Sequence, residues 1–250
     1  MKPTKTLLVS AALILGAMGA QAAEFVQNGN YLTVQLKQHQ NYGPSQIRLQ
    51  VVNDRIIRVQ ATAEQSFRSK QSLIIVPQNS KAKYKVEEQG DDLIITTAAM
   101  RAVLNEATGQ ITFYDLKDQV LLKEVAQGGK TFKPFTVPDR EIGVDIAKVP
   151  EAQKHGWSWR ALFDSPDNEA FYGLGQHQSE ELNMKGKNED LFQYNTKVSV
   201  PFVISNKNYG ILWDSYSYSR WGNPEDYLQL NRAFKLYDKD GKEGQLTGTY

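Results

Sequence analysis

The sequence of 250 residues contains no cysteine. Every function that needs a thiolate is therefore excluded, including cysteine nucleophiles, zinc ribbons and iron–sulfur clusters. Small secreted scaffolds depend on disulfide bonds because their hydrophobic cores are too small to stabilise them. A chain of this length can bury a sufficient core without such bonds. The sequence thus has the size of a globular domain that does not need disulfides.

An excess of charge of either sign is also missing. The 29 basic and 28 acidic residues give a net charge of +1 and are spread along the whole chain. A surface that binds nucleic acid needs clustered Lys and Arg side chains. No nucleic-acid partner is therefore expected.

The one long apolar run stands at the N-terminus and is too short to cross a bilayer. Lys2 and Lys5 precede the apolar run Leu7–Gly19, and Ala20-Gln21-Ala22 supplies the small-x-small pattern of a signal peptidase site. A membrane-spanning helix needs roughly 20 apolar residues, and no basic stop-transfer cluster follows, which disfavours the alternative of a retained anchor. Residues 1–22 are predicted to be a signal peptide. The mature chain is expected to be periplasmic or secreted and free of the membrane.

Helical periodicity is missing after this leader, and alternation of apolar and polar residues takes its place. Leu32, Val34 and Leu36 alternate with polar residues, and Asn53-Asp54 provides the turn of a hairpin. Further short runs lie at Tyr84–Val86, Leu93–Thr97, Ala102–Leu104, Ile111–Tyr114, Val120–Leu122, Trp157–Phe163, Ala170–Leu174, Val198–Ser205, Tyr209–Trp213 and Tyr227–Leu230. Many short strands separated by close turns predict an all-β fold, a β-sandwich. The proline- and glycine-containing stretch Gln127–Gln153 is predicted to be a long excursion or a crossing between sheets.

Motifs that suggest a cofactor or a metal fail on their spacing. Gly173-Leu174-Gly175 follows a strand pattern, but Gln178 stands where a dinucleotide-binding loop needs its third glycine. Asp238–Gly241 resembles the start of a calcium loop, but its glycine comes two positions early. The three histidines are far apart and have no ligand partner at i+4: His39, His155 and His177. The sequence predicts no cofactor and no metal site.

Paired carboxylates that could act as acid and base are likewise missing. Glu180-Glu181 are adjacent, so their side chains diverge on a strand or a helix. Asp164, Asp167 and Glu169 surround Ser165-Pro166, which predicts a solvated turn. The sequence alone therefore indicates no catalytic residue.

The most informative stretch runs from Phe171 to Tyr218 and places a polar loop between two β segments. The far end of this loop carries Phe192, Gln193, Tyr194 and Asn195. Loops held by a rigid sheet are where binding groups concentrate. Aromatic faces can stack on sugar rings, while Asn and Gln offer both donors and acceptors to hydroxyl groups. The alternative, which these residues support equally, is a surface loop whose aromatic side chains pack on the sheet.

The same stretch resembles a known family. YGLGQ at 172–176, FQYNT at 192–196 and VPFVISNKNYGILWDSYS at 200–217 are similar to the N-terminal, galactose-mutarotase-like domain of glycoside hydrolase family 31. The hairpin TGQITFYD…VLLKE, at 108–124, resembles a matching hairpin of that domain, so the resemblance covers roughly residues 30–240. It implies a galactose-mutarotase-like β-sandwich that accompanies a (β/α)8 barrel, which this chain does not include. In the family that barrel performs retaining hydrolysis with two aspartates.

Within the family, the sequence resembles one subtype. Gln176-His177-Gln178 followed by FQYNTKVSVPF is most similar to the xyloglucan-directed α-xylosidases of Gram-negative bacteria, and an α-glucosidase or a transglucosidase is the alternative. The closing residues Gly244–Tyr250 resemble the opening of a protective-antigen-like module that some α-xylosidases carry at this point. The resemblance also implies that Phe192, Tyr194 and Asn195 contact the substrate.

These resemblances imply a division of the chain. Residues 1–22 form the signal peptide, 23–243 the β-sandwich domain, and 244–250 the truncated start of the inserted module. The expected partners are an oligosaccharide substrate and the catalytic barrel of the same polypeptide, without which the chain is expected to be inactive. A free-standing carbohydrate-binding sandwich is an alternative. A mutarotase-type epimerase is a weaker one, because it needs a His and a Glu facing one pocket.

Overall fold

The computed structural model describes residues 25–37, 41–68, 71–77, 80–136, 146–148, 150–151, 155–177, 181–193, 195–222, 236–237 and 243–244. Nearly all regular structure within these ranges is β-strand, with a 3-10 turn at Ile146–Lys148. No helix in the described part of the chain is long and apolar enough to cross a membrane. The predicted leader and the predicted strand at 227–230 lie outside the described residues.

The first sheet is a four-stranded antiparallel meander. Its strands are β1 (Phe25–Asn28), β2 (Tyr31–Gln35), β3 (Gln46–Asn53) and β4 (Ile56–Thr62). The predicted alternation is confirmed, because Leu32 and Val34 in β2 are fully buried while the residues beside them are partly exposed. The predicted hairpin between β3 and β4 is also present. Its turn is stabilised by Asn53, whose Oδ1 accepts a hydrogen bond of 2.8 Å from the amide of Arg55.

The second sheet is a five-stranded antiparallel meander. Its strands are β5 (Lys85–Gln89), β6 (Asp92–Thr96), β7 (Arg101–Asn105), β8 (Ile111–Tyr114) and β9 (Val120–Lys123). Gly109, in the turn between β7 and β8, has a φ of 75°. A Cβ atom there would lie 3.0 Å from Cδ1 of Leu36 and 3.1 Å from Cδ1 of Ile47. Glycine at this position lets the turn of the second sheet approach the first sheet closely.

The two sheets share one hydrophobic core. Its buried members come from both sheets: Leu32, Val34, Leu36, Ile47, Leu49, Val51, Leu93, Ile95, Leu104 and Ile111. Each sheet has one apolar face, and burying both faces against each other removes that area from water. The predicted all-β sandwich is confirmed.

The stretch predicted to be an excursion contains a strand instead. β10 (Lys130–Thr136) pairs with β11 (His155–Ala161) in an antiparallel ribbon. Pro134 lies within β10, where the sequence pattern suggested a break. The amide of Phe132 donates to the carbonyl of Tyr42 at 2.7 Å, on the side away from β11. Pro134 has the same orientation two residues on, so its missing N–H removes no hydrogen bond from the ribbon.

The C-terminal part of the described chain forms a second cluster of strands. These strands are β12 (Phe171–Gln176), β13 (Glu189–Leu191), β14 (Val198–Ser205), β15 (Tyr209–Leu212) and β16 (Ser219–Trp221). Further along the chain, β17 (Leu236–Tyr237) and β18 (Glu243–Gly244) pair with each other. The order β12-β14-β15 makes a three-stranded antiparallel sheet, and β13 pairs with β16. Trp213 stacks on Trp221 with ring centroids 5.8 Å apart, and both partly buried rings pack against the core of β12, β13 and β14. Arg58 on β4 donates to Asp214 Oδ2 at 2.8 Å, which ties the cluster to the first sheet.

Candidate functional site

The YGLG segment forms a β-bulge in β12. The register of β12 against β14 shifts between Gly173 and Gly175, whose φ angles are 130° and 101°. A Cβ atom on Gly173 would lie 2.6 Å from the carbonyl oxygen of Phe202, and one on Gly175 would lie 2.1 Å from that of Val198. Only glycine allows this approach of two backbones. Between them, Leu174 has a φ of 68° and a fully buried side chain, so the bulge also turns an apolar residue into the core.

A buried charged cluster follows directly after this bulge. Glu189 Oε1 lies 2.9 Å from His177 Nδ1 and also accepts a hydrogen bond from Lys197 Nζ. The carboxylate lies off the axis of an aligned hydrogen bond with His177 Nδ1, so the two groups are in close contact without such a bond. On the other side of the ring, Nε2 donates to the carbonyl oxygen of Leu174 at 2.7 Å. The side chains of His177, Glu189 and Lys197 are only 6%, 16% and 10% exposed. A mutarotase-type epimerase would need a His and a Glu that both face a substrate pocket. His177 and Glu189 instead contact each other in a buried cluster.

The segment predicted to contact substrate lies between β13 and β14. Phe192 is 40% exposed, and Asn195 is exposed in a turn. The turn continues through Thr196, which has a φ of 75°. Gln193 closes the segment, because its Oε1 accepts a hydrogen bond of 3.0 Å from the amide of Ser199. Phe192 and Asn195 are both exposed in the segment between β13 and β14, whereas Tyr194, the third predicted contact, lies outside the described residues.

An exposed apolar face lies beside this turn. We define it by six side chains of the β12-β14-β15 sheet that are 37% to 49% exposed: Tyr172, Val198, Val200, Phe202, Ile204 and Leu212. The register places Tyr172 opposite Ile204 and Phe202 opposite Leu212, so all six project from the same side of the sheet. Soluble monomers rarely expose a contiguous apolar surface of this kind, and such surfaces mark contacts with another protein surface or a ligand.

Sequence reasoning missed this face, although a signal for it was present. The segment 200–204 reads VPFVI without a polar residue. A strand that is polar on one side alternates, while a strand that is buried on both sides has a continuous apolar run. Val203 is buried in the core of the second cluster, and Phe202 is exposed on the opposite side of the sheet. β14 therefore has the sequence of a strand buried on both sides, although one of its sides is exposed.

The acidic residues predicted to lie in a solvated turn divide into two groups. Asp164 and Asp167 are exposed as predicted, but the prediction is wrong for Glu169, which is 3% exposed. Its Oε1 accepts hydrogen bonds of 2.6 Å from the hydroxyl groups of Ser205 and Tyr209. Burial and the hydrogen bond to Glu169 raise the pKa of Tyr209 above its usual value. The carboxylate thus accepts from one hydroxyl group on β14 and one on β15, which offsets the cost of its burial.

The remaining predicted acids and histidines have ordinary surroundings. Glu181 forms an exposed ion pair with Lys187, with Oε1 2.6 Å from Nζ. His155 is exposed, and its Nε2 lies 2.9 Å from Glu151 Oε1. Within the described ranges, no group of three His, Asp or Glu side chains is arranged to hold a metal ion. His39, Glu180 and the calcium-like motif at 238–241 lie outside those ranges.

Comparison with known proteins gives the family of this chain. Residues 46–221 match the model of the glycosyl hydrolase 31 N-terminal galactose mutarotase-like domain. The match covers β3 and β4 of the first sheet, the whole second sheet, the bulge and the apolar face. The chain belongs to this family of N-terminal domains.

Individual relatives are longer than this chain. It is 36% identical to the family 31 α-xylosidase of Xanthomonas citri, whose crystal structure it matches with a TM-score of 0.68 over 87% of this chain and 22% of that one. It is 27% identical over 178 residues to an uncharacterised family 31 glucosidase of Pseudescherichia vulneris, covering 68% of this chain and 32% of the relative. It is 25% identical over 185 residues to an α-xylosidase of Saccharolobus solfataricus, covering 70% of this chain and 23% of the relative. The chain thus spans about a third or less of each relative.

Proposed function

We propose that this chain is the non-catalytic N-terminal domain of a retaining α-glycoside hydrolase, an α-xylosidase that acts on xyloglucan oligosaccharides. In this proposal the domain supports the catalytic barrel and contributes a substrate-contacting loop, residues 192–196. The domain itself supplies no catalytic residue.

The apolar face is the observation that carries the proposal. Its six side chains lie on one side of a sheet whose other side is packed in a core. A domain that worked alone would leave this area in water, at a cost of about 25 cal/mol for each Å² that a partner could bury. A second domain of the same polypeptide is the partner that covers such a face permanently. The relatives support this reading, since the matched region is 22% to 32% of their length and leaves room for a catalytic domain.

The position of the loop explains how a supporting domain could also affect substrate binding. Phe192 and Asn195 are exposed next to Val198 and Val200, the first residues of the apolar face on β14. A barrel that covered the face would therefore have this loop at the edge of the contact. There, Phe192 could stack on a sugar ring and Asn195 could bond to a hydroxyl group.

The α-xylosidase assignment is supported by the relatives named as α-xylosidases in Xanthomonas citri and Saccharolobus solfataricus. The relative in Pseudescherichia vulneris is named as a glucosidase and favours α-glucosidase activity as the second candidate. The sequence pattern of residues 1–22, which predicts a signal peptide, supports the further proposal that the enzyme is periplasmic or secreted.

The proposal is tested with the full-length polypeptide that carries this chain. We expect it to hydrolyse aryl α-xyloside with a higher kcat/KM than aryl α-glucoside, with retention of the anomeric configuration. A higher kcat/KM for the α-glucoside would favour α-glucosidase activity over α-xylosidase activity. Hydrolysis of neither substrate, with binding of oligosaccharide only, would favour a carbohydrate-binding sandwich.

A further inference from the structure

The buried charged cluster joins three segments that are separate in sequence. His177 comes directly after β12, Glu189 begins β13, and Lys197 comes directly before β14. The loop at 192–196 therefore begins and ends beside the same carboxylate. Among the described side chains, no other ion pair joins the two ends of this loop.

Burial makes this cluster strong and also makes it costly to disturb. A carboxylate removed from water is unfavourable unless cations and hydrogen-bond donors face it. Lys197 meets both needs, because its Nζ carries a positive charge and donates to Glu189 Oε1. His177 Nδ1 lies 2.9 Å from the same oxygen. His177 is fixed in turn by its hydrogen bond to the carbonyl oxygen of Leu174 in the bulge. Contacts through Glu189 and His177 thereby connect the end of the loop to the glycine bulge of β12.

We propose that Glu189 is a positioning residue that holds the exposed residues Phe192 and Asn195 in the conformation that receives an oligosaccharide. Glu189 acts through Phe192 and Asn195 and does not touch the substrate itself. Loss of its charge weakens the hold on Lys197 at the end of the loop, while the exposed side chains stay chemically intact. This inference rests on the proposed function for its substrate but not for the anchoring of the loop.

The test uses Glu189→Gln in the full-length protein, with Glu181→Gln as the matched control. Both variants remove one negative charge from the same stretch, but Glu181 is in an exposed ion pair with Lys187. Amide hydrogen exchange of peptides from 190–199 reports on the loop directly. We expect exchange there to rise about tenfold or more in Glu189→Gln, equivalent to about 1.4 kcal/mol of local stability. Exchange of peptides from the sandwich strands β1–β9 should not change. The exchange of Glu181→Gln should match that of the unaltered protein.

Kinetics separate positioning from a purely structural role. For xyloglucan oligosaccharide, KM is expected to rise about tenfold in Glu189→Gln, whereas kcat for aryl α-xyloside should stay within about twofold. Unchanged exchange at 190–199 in a folded variant, or raised exchange with unchanged KM, would overturn the proposal. If Glu189→Gln does not fold, the double variant Glu189→Gln/Lys197→Met removes both charges and is judged by the same criteria. If the unaltered protein hydrolyses no α-xyloside, the proposed function fails, and the exchange result still decides whether Glu189 anchors the loop.

Discussion

Tyr172 on β12 lies directly opposite Ile204 on β14, and both side chains are nearly half exposed. Cross-strand pairs of an aromatic and a β-branched residue stabilise a sheet by about 0.2–1 kcal/mol. Such a pair normally faces a core. Here it faces outward, and its neighbours on the same side are apolar as well. The pair is therefore part of the exposed apolar face, which we propose is covered by the catalytic domain.

The first prediction concerns this apolar face. Val200→Lys should change the free energy of unfolding of the 250-residue chain by no more than about 0.5 kcal/mol, because the site is half exposed there. In the full-length protein the same change should cost about 3 kcal/mol or more, because it buries an unpaired charge against the second domain. Val26→Lys is the matched control on β1, where Val26 is 64% exposed. Equal effects of the two substitutions in the full-length protein would mean that the face is not covered.

The second prediction concerns the bulge. Gly175→Ala places a methyl group 2.1 Å from the carbonyl oxygen of Val198 and also strains a backbone at positive φ. We expect a loss of more than about 3 kcal/mol in urea unfolding, since the strain alone costs about 1–3 kcal/mol. Gly186→Ala is the control, with a φ of 72° and open space around the new methyl group. Its free energy of unfolding should fall only by the cost of the strained backbone, about 1–3 kcal/mol. A Gly175→Ala protein as stable as the control would show that β12 and β14 can separate freely.

The sandwich was more predictable than the site for a physical reason. In β2, one face is buried and the other is wet, so Leu32 and Val34 alternate with polar residues and indicate the strand locally. Because of Pro134, the sequence did not predict β10. A proline disrupts a strand only where its missing N–H would have donated to a neighbouring strand, and the sequence does not show that direction. Glu189, His177 and Lys197 meet only through the pairing of β12 with β14 and the path of the intervening loop. No local pattern indicates a contact of that kind.

The third prediction concerns a buried ion pair that holds the sandwich to the ribbon. Lys130 Nζ donates to Glu124 Oε2, and the same oxygen accepts a hydrogen bond of 2.9 Å from the amide of Ile111. Burial raises the pKa of Glu124 and lowers that of Lys130. Lys130→Met should cost about 3–5 kcal/mol in urea unfolding, because it leaves the carboxylate buried without a cation. Lys130→Met/Glu124→Gln should recover much of this loss, since glutamine can still accept from Ile111. No recovery in the double variant would count against an electrostatic cause.

The fourth prediction concerns pH. The pKa of Tyr209 is raised in the folded state, mainly by burial and then by Glu169, so the unfolded chain loses this proton first as pH rises. The contribution of Tyr209 is therefore fully present below the unfolded pKa of 10.0 and is lost progressively above it. Tyr209→Phe should cost about 1.5–3 kcal/mol at pH 7 by removing the hydrogen bond to Glu169. It should also reduce the fall in stability above pH 10. An unchanged alkaline slope in urea titrations of this variant would contradict the assignment.

The most direct test of the whole account compares two proteins in one assay. The 250-residue chain and the full-length polypeptide that carries it are incubated with aryl α-xyloside at equal concentration. A supporting domain without catalytic residues predicts turnover by the full-length protein and none by the 250-residue chain. Turnover by the 250-residue chain alone would contradict the account.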